Sequence, residues 1–164
     1  MMKVLVDYPS EEEEYVIALR FTGPPVQVEP VADTAQLAAL QAQCRKVYVD
    51  PSLVQYAVKL VSATRDPARH GLKDLARFIT FGASPRATIN LTEGARALAM
   101  LRGRMYALPE DMVDLVPDVL RHRVVLSYEA LSEGMDSDAL VRQIMGKIPV
   151  PARPLEHEDT QLAA

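Results

Sequence analysis

Three times this chain sets a proline where a helix must begin: at Asp50-Pro51, at Ser84-Pro85, and at Pro109 followed by Glu110 and Asp111. Proline is tolerated at the first helical position because its missing amide would have no partner there, and its ring presets the helical φ. An Asp or Ser just before it offers an oxygen to the unpaired amides of the first turn. Apolar residues then recur at helical spacing. Leu53, Val54, Ala57, Leu60 and Val61 follow the first start; Ile89, Leu91, Ala95, Leu98, Ala99 and Leu101 follow the second. This punctuation predicts a mainly α fold, a bundle of about five or six helices.

The other elements follow from similar signals. Ser10 and Glu13 form a capping box ahead of a helix whose first turn holds Glu11 to Glu14, where the helix dipole favours negative charge. That acidic run reads either as a metal or basic-partner site or as helix-start electrostatics on a solvated face. Thr22-Gly23-Pro24-Pro25 ends the helix and opens an extended, proline-rich linker. Asp33 caps a second helix running to about Lys46, with Leu37, Ala38 and Leu40 on one face. Val47 to Val49, Phe78 to Phe81 and Val124 to Ser127 read as short extended pieces, and Leu72 to Arg77 as a turn of helix. Gly94 lies inside the long helix after Ser84, at a cost of up to ~1 kcal/mol against Ala, which points to close helix packing. Gly103 stops that helix, Pro117 must kink or restart the helix begun at Pro109, and Asp136 or Ser137 caps a last helix with Leu140, Val141, Ile144, Met145 and Ile148.

Two segments stand apart. Met1 to Tyr8 is β-favouring and reads as an orphan strand, because nothing else in the chain offers it a sheet. Residues 155–164, after the closing prolines, read as a disordered tail.

Composition narrows function. With 49% hydrophobic and 24% charged residues, the 164-residue chain can bury a core as one domain, or one domain plus a remnant of another. Aromatics at 5%, with no Trp, argue against a stacking platform for single-stranded nucleic acid, and a net charge of -4 argues against a dedicated nucleic-acid binder. The single cysteine, Cys44, excludes an internal disulfide and a multi-Cys zinc site, and reads as a half-buried small side chain. No Gly-x-x-x-x-Gly-Lys occurs, so the chain carries no P-loop of its own. Neither a signal peptide nor a membrane span is present in the sequence; the expected address is the cytoplasm, with no membrane partner.

No nucleophile–base set stands out. His70, His122 and His157 each stand alone, and none has the paired spacing of a helical metal site. The segment Gly82-Ala83-Ser84-Pro85-Arg86-Ala87 is more informative. Ser84 and Pro85 start a helix whose first amides carry a partial positive charge, and Arg86 adds a planar fork of fixed charge at the same place, an arrangement suited to phosphate. An Arg86 paired with a nearby carboxylate, or simply solvated, fits the same spacing. Arg96, Arg102, Arg104, Arg121 and Arg123 admit three readings. They could contact nucleic-acid phosphates, contact a neighbouring subunit, or lie on solvated helix faces paired with Glu93, Glu110, Asp111 and Asp114. The second and third are preferred.

Gly82 to Ala87 resembles the GASPRA signature of the MoxR family of AAA+ ATPases. The likeness continues through Arg96-Ala97-Leu98-Ala99, Arg102-Gly103-Arg104, Tyr106, Pro109-Glu110-Asp111 and Leu120-Arg121-His122-Arg123. Met2 to Glu13 resembles the family stretch that follows the arginine finger. The resemblance implies part of a larger protein: residues 1–20 as a remnant of the ATPase core with its lead-in helix, 21–150 as the helical lid, and 151–164 as a flexible tail. It makes Arg86 the sensor 2 residue, reaching the γ-phosphate of ATP held by the core, with Ser84 and Pro85 framing it. It implies ATP and Mg2+ for the full-length protein, and neither cofactor nor hydrolysis for this chain by itself, which lacks the P-loop and Walker B acids. It further implies a chaperone-like ring, a hexamer, that assembles or matures protein complexes. The expected partners are the ATPase core, neighbouring subunits and a von Willebrand factor A domain protein. The alternative from another class is a free-standing helical module that binds protein or nucleic acid.

Overall fold

The computed structural model describes residues 1–25 and 27–152. Among them the chain forms α1 (Glu11–Thr22), α2 (Thr34–Cys44), α3 (Pro51–Arg65), two 3-10 segments (Ala68–His70 and Lys73–Phe78), β1 (Ile79–Phe81), α4 (Pro85–Leu101), α5 (Pro109–Val113), α6 (Val116–Leu120), β2 (Val125–Leu126), α7 (Tyr128–Ser132) and α8 (Ser137–Lys147). The fold is mainly helical, as expected.

Every helix start named above is found. Asp50 caps α3 through a 2.7 Å bond from the Ser52 amide, and Pro51 takes the first position. Ser10 with Glu13, and Asp33 with Gln36, close reciprocal capping boxes. Asp136 caps α8. Gly103 takes the left-handed φ of 74° just past α4, which only glycine adopts without strain. Pro117 sits in the first turn of α6, so the chain restarts there rather than kinking. Among the described residues, the one α-helix beyond those expected is α7. Its five residues are too few to show a period, and Ser127 caps it by accepting from the Ala130 amide.

The core lies between Val47 and Ile148. Leu53 and Leu60 of α3, Leu91 of α4, Met112 of α5, Leu120 of α6 and Leu140 and Ile144 of α8 are fully buried. A Cβ on Gly94 would lie 2.9 Å from Leu115 Cδ1, so the glycine does lie at a close approach, between α4 and the α5–α6 junction. Two of the extended pieces pair: Ile79 faces Leu126 and Phe81 faces Val125 in an antiparallel ladder with a bulge. The third, around Tyr48, bridges to Tyr106, with Tyr48 donating to Met105 O at 2.8 Å and accepting from Ala107 at 2.9 Å.

Residues 1–46 behave differently. Neither α1 nor α2 buries a single residue. The expected opening strand forms no ladder: residues 1–10 carry no strand, and Val4, Leu5 and Val6 are exposed. A strand needs a neighbour to pair with, and the described residues offer none. The tail from residue 153 onward, with His157, lies outside the described residues.

Candidate functional site

The Gly82–Ala87 segment is held against the C-terminal end of α3, and its letters have separate physical reasons. A Cβ at Gly82 would fall 2.5 Å from the Thr64 carbonyl carbon and 2.7 Å from the Arg65 nitrogen. The contact is backbone on backbone and cannot give, so the position accepts only glycine. Ala83 is fully buried, and its amide donates to Thr64 Oγ1 at 2.9 Å. Thr64 in turn donates to Val61 O at 2.7 Å, which fixes the hydroxyl. From the other side Arg65 Nη1 donates to Ala83 O at 2.8 Å. Ser84 is extended, with φ −74° and ψ 165°, and its carbonyl accepts from the Ala87 amide at 2.9 Å. Pro85 opens α4, and Ala87 is fully buried in the core.

The segment therefore alternates between inside and outside. Ala83 and Ala87 anchor it, while Ser84, Pro85 and Arg86 face solvent. The Ser84 hydroxyl caps nothing. Arg86 has no hydrogen bond or ion pair among the described residues. A rigid helix start with an unused hydroxyl and an unpaired guanidinium has the chemistry to meet a phosphate.

The neighbouring arginines are committed elsewhere. Arg96 pairs with Glu93 at 3.2 Å, as expected. Arg121 bonds Asp138 through Nε at 2.9 Å and Asp118 through Nη1 at 2.7 Å. Arg102 and Arg104 converge on Asp111, a pairing that the solvated-face reading named, but Asp111 itself is fully buried rather than solvated. Arg104 binds it with both nitrogens at 2.7 and 2.6 Å, Arg102 Nη1 at 2.8 Å, and the Leu108 amide at 2.8 Å. Arg102 also reaches Asp114 at 2.6 Å. Burial acts to raise the Asp111 pKa, but the bonds from Arg104, the Leu108 amide and Arg102 outweigh it and hold the carboxyl below its ordinary 3.8. The pattern Arg102-Gly103-Arg104 followed by an acid two residues after Pro109 was the sequence signal for this hub. Its burial was not legible, because it depends on α5 folding back against α4.

The remaining candidates stay apart from this site. His70 Nε2 lies 3.1 Å from Ser62 Oγ, a half-buried structural contact. His122 is exposed; its pKa is lowered first by desolvation and then by the charges of Arg123, the N-terminal amine and Lys3. Cys44 is half-buried, as expected. Among the described residues no three His, Cys, Asp or Glu side chains come together as metal ligands, and no helix is long and apolar enough to cross a membrane.

Comparison with known proteins bears on the fold and family of this chain. Residues 73–144 match the AAA lid domain family. The chain is 38% identical over 151 residues to Chaperone MoxR1 of Mycobacterium tuberculosis, covering 92% of this chain and 40% of that protein. It is 40% identical over 111 residues to Protein MoxR of Paracoccus denitrificans, covering 64% of this chain and 32% of that one. A crystal structure of an ATPase candidate from Cytophaga hutchinsonii superposes with a TM-score of 0.87 at 34% identity, covering 93% of this chain and 47% of that one. The chain thus spans less than half the length of these relatives. With residues 73–144 matching the AAA lid domain and Chaperone MoxR1 matching 92% of the chain at 38% identity, the chain belongs to the MoxR family of AAA+ ATPases.

Proposed function

We propose that this chain is the nucleotide-sensing lid of a ring-forming MoxR-type ATPase, in which Arg86, framed by Ser84 and Pro85, contacts the γ-phosphate of ATP held by a P-loop core. The nucleotide and its Mg2+ supply the phosphoryl chemistry; this chain's residues bind and orient. Arg86 offers a fixed charge and two parallel donors from the rigid start of α4. The clamp of Gly82 and Ala83 on α3 passes any movement of that start into the lid core. One observation carries the reading. Of the six arginines at 86, 96, 102, 104, 121 and 123, Arg86 alone lacks a protein partner among the described residues.

The wider role is a chaperone-like cytoplasmic ring, a hexamer, that matures protein complexes and works with a von Willebrand factor A domain protein. In such a ring the ATPase core and neighbouring subunits would cover α1 and α2. Tyr15, Val16, Ile17, Leu19 and Phe21 point around most of α1 and are all exposed. A helix apolar on every side is normally buried.

The test is Arg86→Ala in the protein that carries the ATPase core. Turnover should fall about 10³-fold, as for other arginines that meet a transferring phosphoryl group. The melting temperature should hardly move, because substitution of an exposed side chain changes stability by less than ~0.5 kcal/mol. Arg86→Lys should rescue only in part, since an ammonium lacks the fork. A lid that melts early while turnover stays normal would make Arg86 structural and sink the assignment.

A further inference from the structure

We infer that Arg121 and Arg123 form a latch that ties the chain's first three residues to the lid body and so fixes the point from which α1 departs. Three bonds make the tie. The Lys3 amide donates to Asp118 O at 2.8 Å, Arg121 Nη1 donates to Lys3 O at 2.8 Å, and Arg123 Nη2 donates to Met1 O at 3.1 Å. Lys3 is thus held through both of its backbone groups, one by α6 and one by the residue just past it.

The latch is braced from within the body. The Arg121 side chain is 13% exposed with the arm in place, and its guanidinium is oriented by Asp118 and Asp138. The planar fork bonds both carboxylates and still presents Nη1 to a backbone carbonyl. Arg123 is the weaker half, because its Nε is buried without a partner. The grip acts on backbone, which explains how residues 1–3 are placed while the Val4 and Val6 side chains remain exposed. It also gives the Leu120-Arg121-His122-Arg123 run a role that the nucleotide site does not absorb. Arg121 and Arg123 are positioning residues. If, as the family resemblance implies, residues 1–20 are a remnant of the ATPase core, the latch is a direct tie between core and lid; that extension rests on the lid reading proposed above, whereas the latch does not.

Amide exchange on the full chain tests it with no nucleotide present. The Lys3 amide should be protected in the wild type. Arg121→Ala should speed its exchange about tenfold, the loss expected for a bond made by a charged donor. Arg123→Ala should speed exchange at residues 2–4 by a smaller factor while leaving the melting temperature and the amides of α8 unchanged. Arg142→Ala, on an exposed arginine of α8, should change neither. Arg121→Ala also strips Asp118 and Asp138 of a partner and so can weaken the body; Arg123→Ala keeps the test clean. An unprotected Lys3 amide in the wild type, or wild-type exchange at residues 2–4 in Arg123→Ala, overturns the latch. In the protein that carries the core, Arg123→Ala should lower kcat several-fold with KM for ATP unchanged. Faster exchange with unchanged kcat would overturn the core–lid tie alone.

Discussion

Residues 1–46 and residues 47–152 are built from the same kind of helix and held in opposite ways. The arm has the better-capped helices: α1 and α2 each open with a reciprocal capping box, and neither buries a residue. In the body, α4 starts without a side-chain cap yet buries Ala87, Asn90, Leu91, Ala95 and Ala99. Caps decide where a helix begins; burial decides whether it persists. A helix of 12 residues such as α1 is marginal in water without a packed face. Apart from the bonds at residues 1–3, the arm's helices therefore have no packed face among the described residues, while those of the body do.

The largest test of that contrast is the buried carboxylate. Asp111→Ala leaves Arg102 and Arg104 facing an empty buried site, and removing one partner of such a group costs about 3 kcal/mol or more. The body should melt far earlier, while exchange in α1 and α2 stays as it was. The variant should also change the acid response. A carboxyl held below 3.8 in the folded state binds fewer protons there than in the unfolded chain, so its stabilisation is full above that value. It is lost as pH falls through the folded value. Wild-type melting temperature should therefore drop steeply at the acid end of a pH series, and Asp111→Ala should show a shallower drop. Parallel curves would show that Asp111 does not carry the acid sensitivity.

Leucine truncation compares the two regions directly. Leu60 is fully buried in α3, and Leu19 in α1 is 52% exposed. Leu60→Ala should cost about 2–5 kcal/mol through lost burial and a cavity. Leu19→Ala should stay within about 0.5 kcal/mol. Denaturant midpoints of the two variants measure this, and a comparable loss from Leu19→Ala would mean that the arm packs on the body after all.

The same division explains what the sequence could reveal. Caps, prolines and left-handed glycines are local, so Asp50-Pro51, Ser84-Pro85, Pro109, Gly103 and Asp136 marked true boundaries. The pairing of β1 with β2 is not local, because Ile79 and Leu126 lie far apart in the chain and neither strand is long enough to alternate. The five-residue α7 shows no period for the same reason. At the candidate site, the helix start left Arg86 open between a phosphate contact and a paired or solvated side chain, and only the resemblance favoured the first. The need for Gly82 became visible only once Thr64 stood against it. That contact joins two elements whose approach no spacing rule predicts.

The smallest expected effect is Ser10→Ala. Ser10 Oγ accepts from the Glu13 amide at 3.3 Å, and Glu13 Oε2 accepts from the Ser10 amide at 2.9 Å. Removing the hydroxyl should cost the first turn of α1 about 1 kcal/mol. In a packed helix that cost would pass into the cooperative unfolding of the whole domain. Here α1 has no buried residue through which to pass it on. Exchange at Glu13 and Glu14 should therefore quicken several-fold, while the melting temperature of the body stays the same. The equivalent change at a body cap, Asp50→Ala, removes the bond to the Ser52 amide at the head of a helix with seven buried residues, and should lower the melting temperature. If Ser10→Ala lowers it as much as Asp50→Ala does, arm and body unfold as one unit and the arm's independence is refuted.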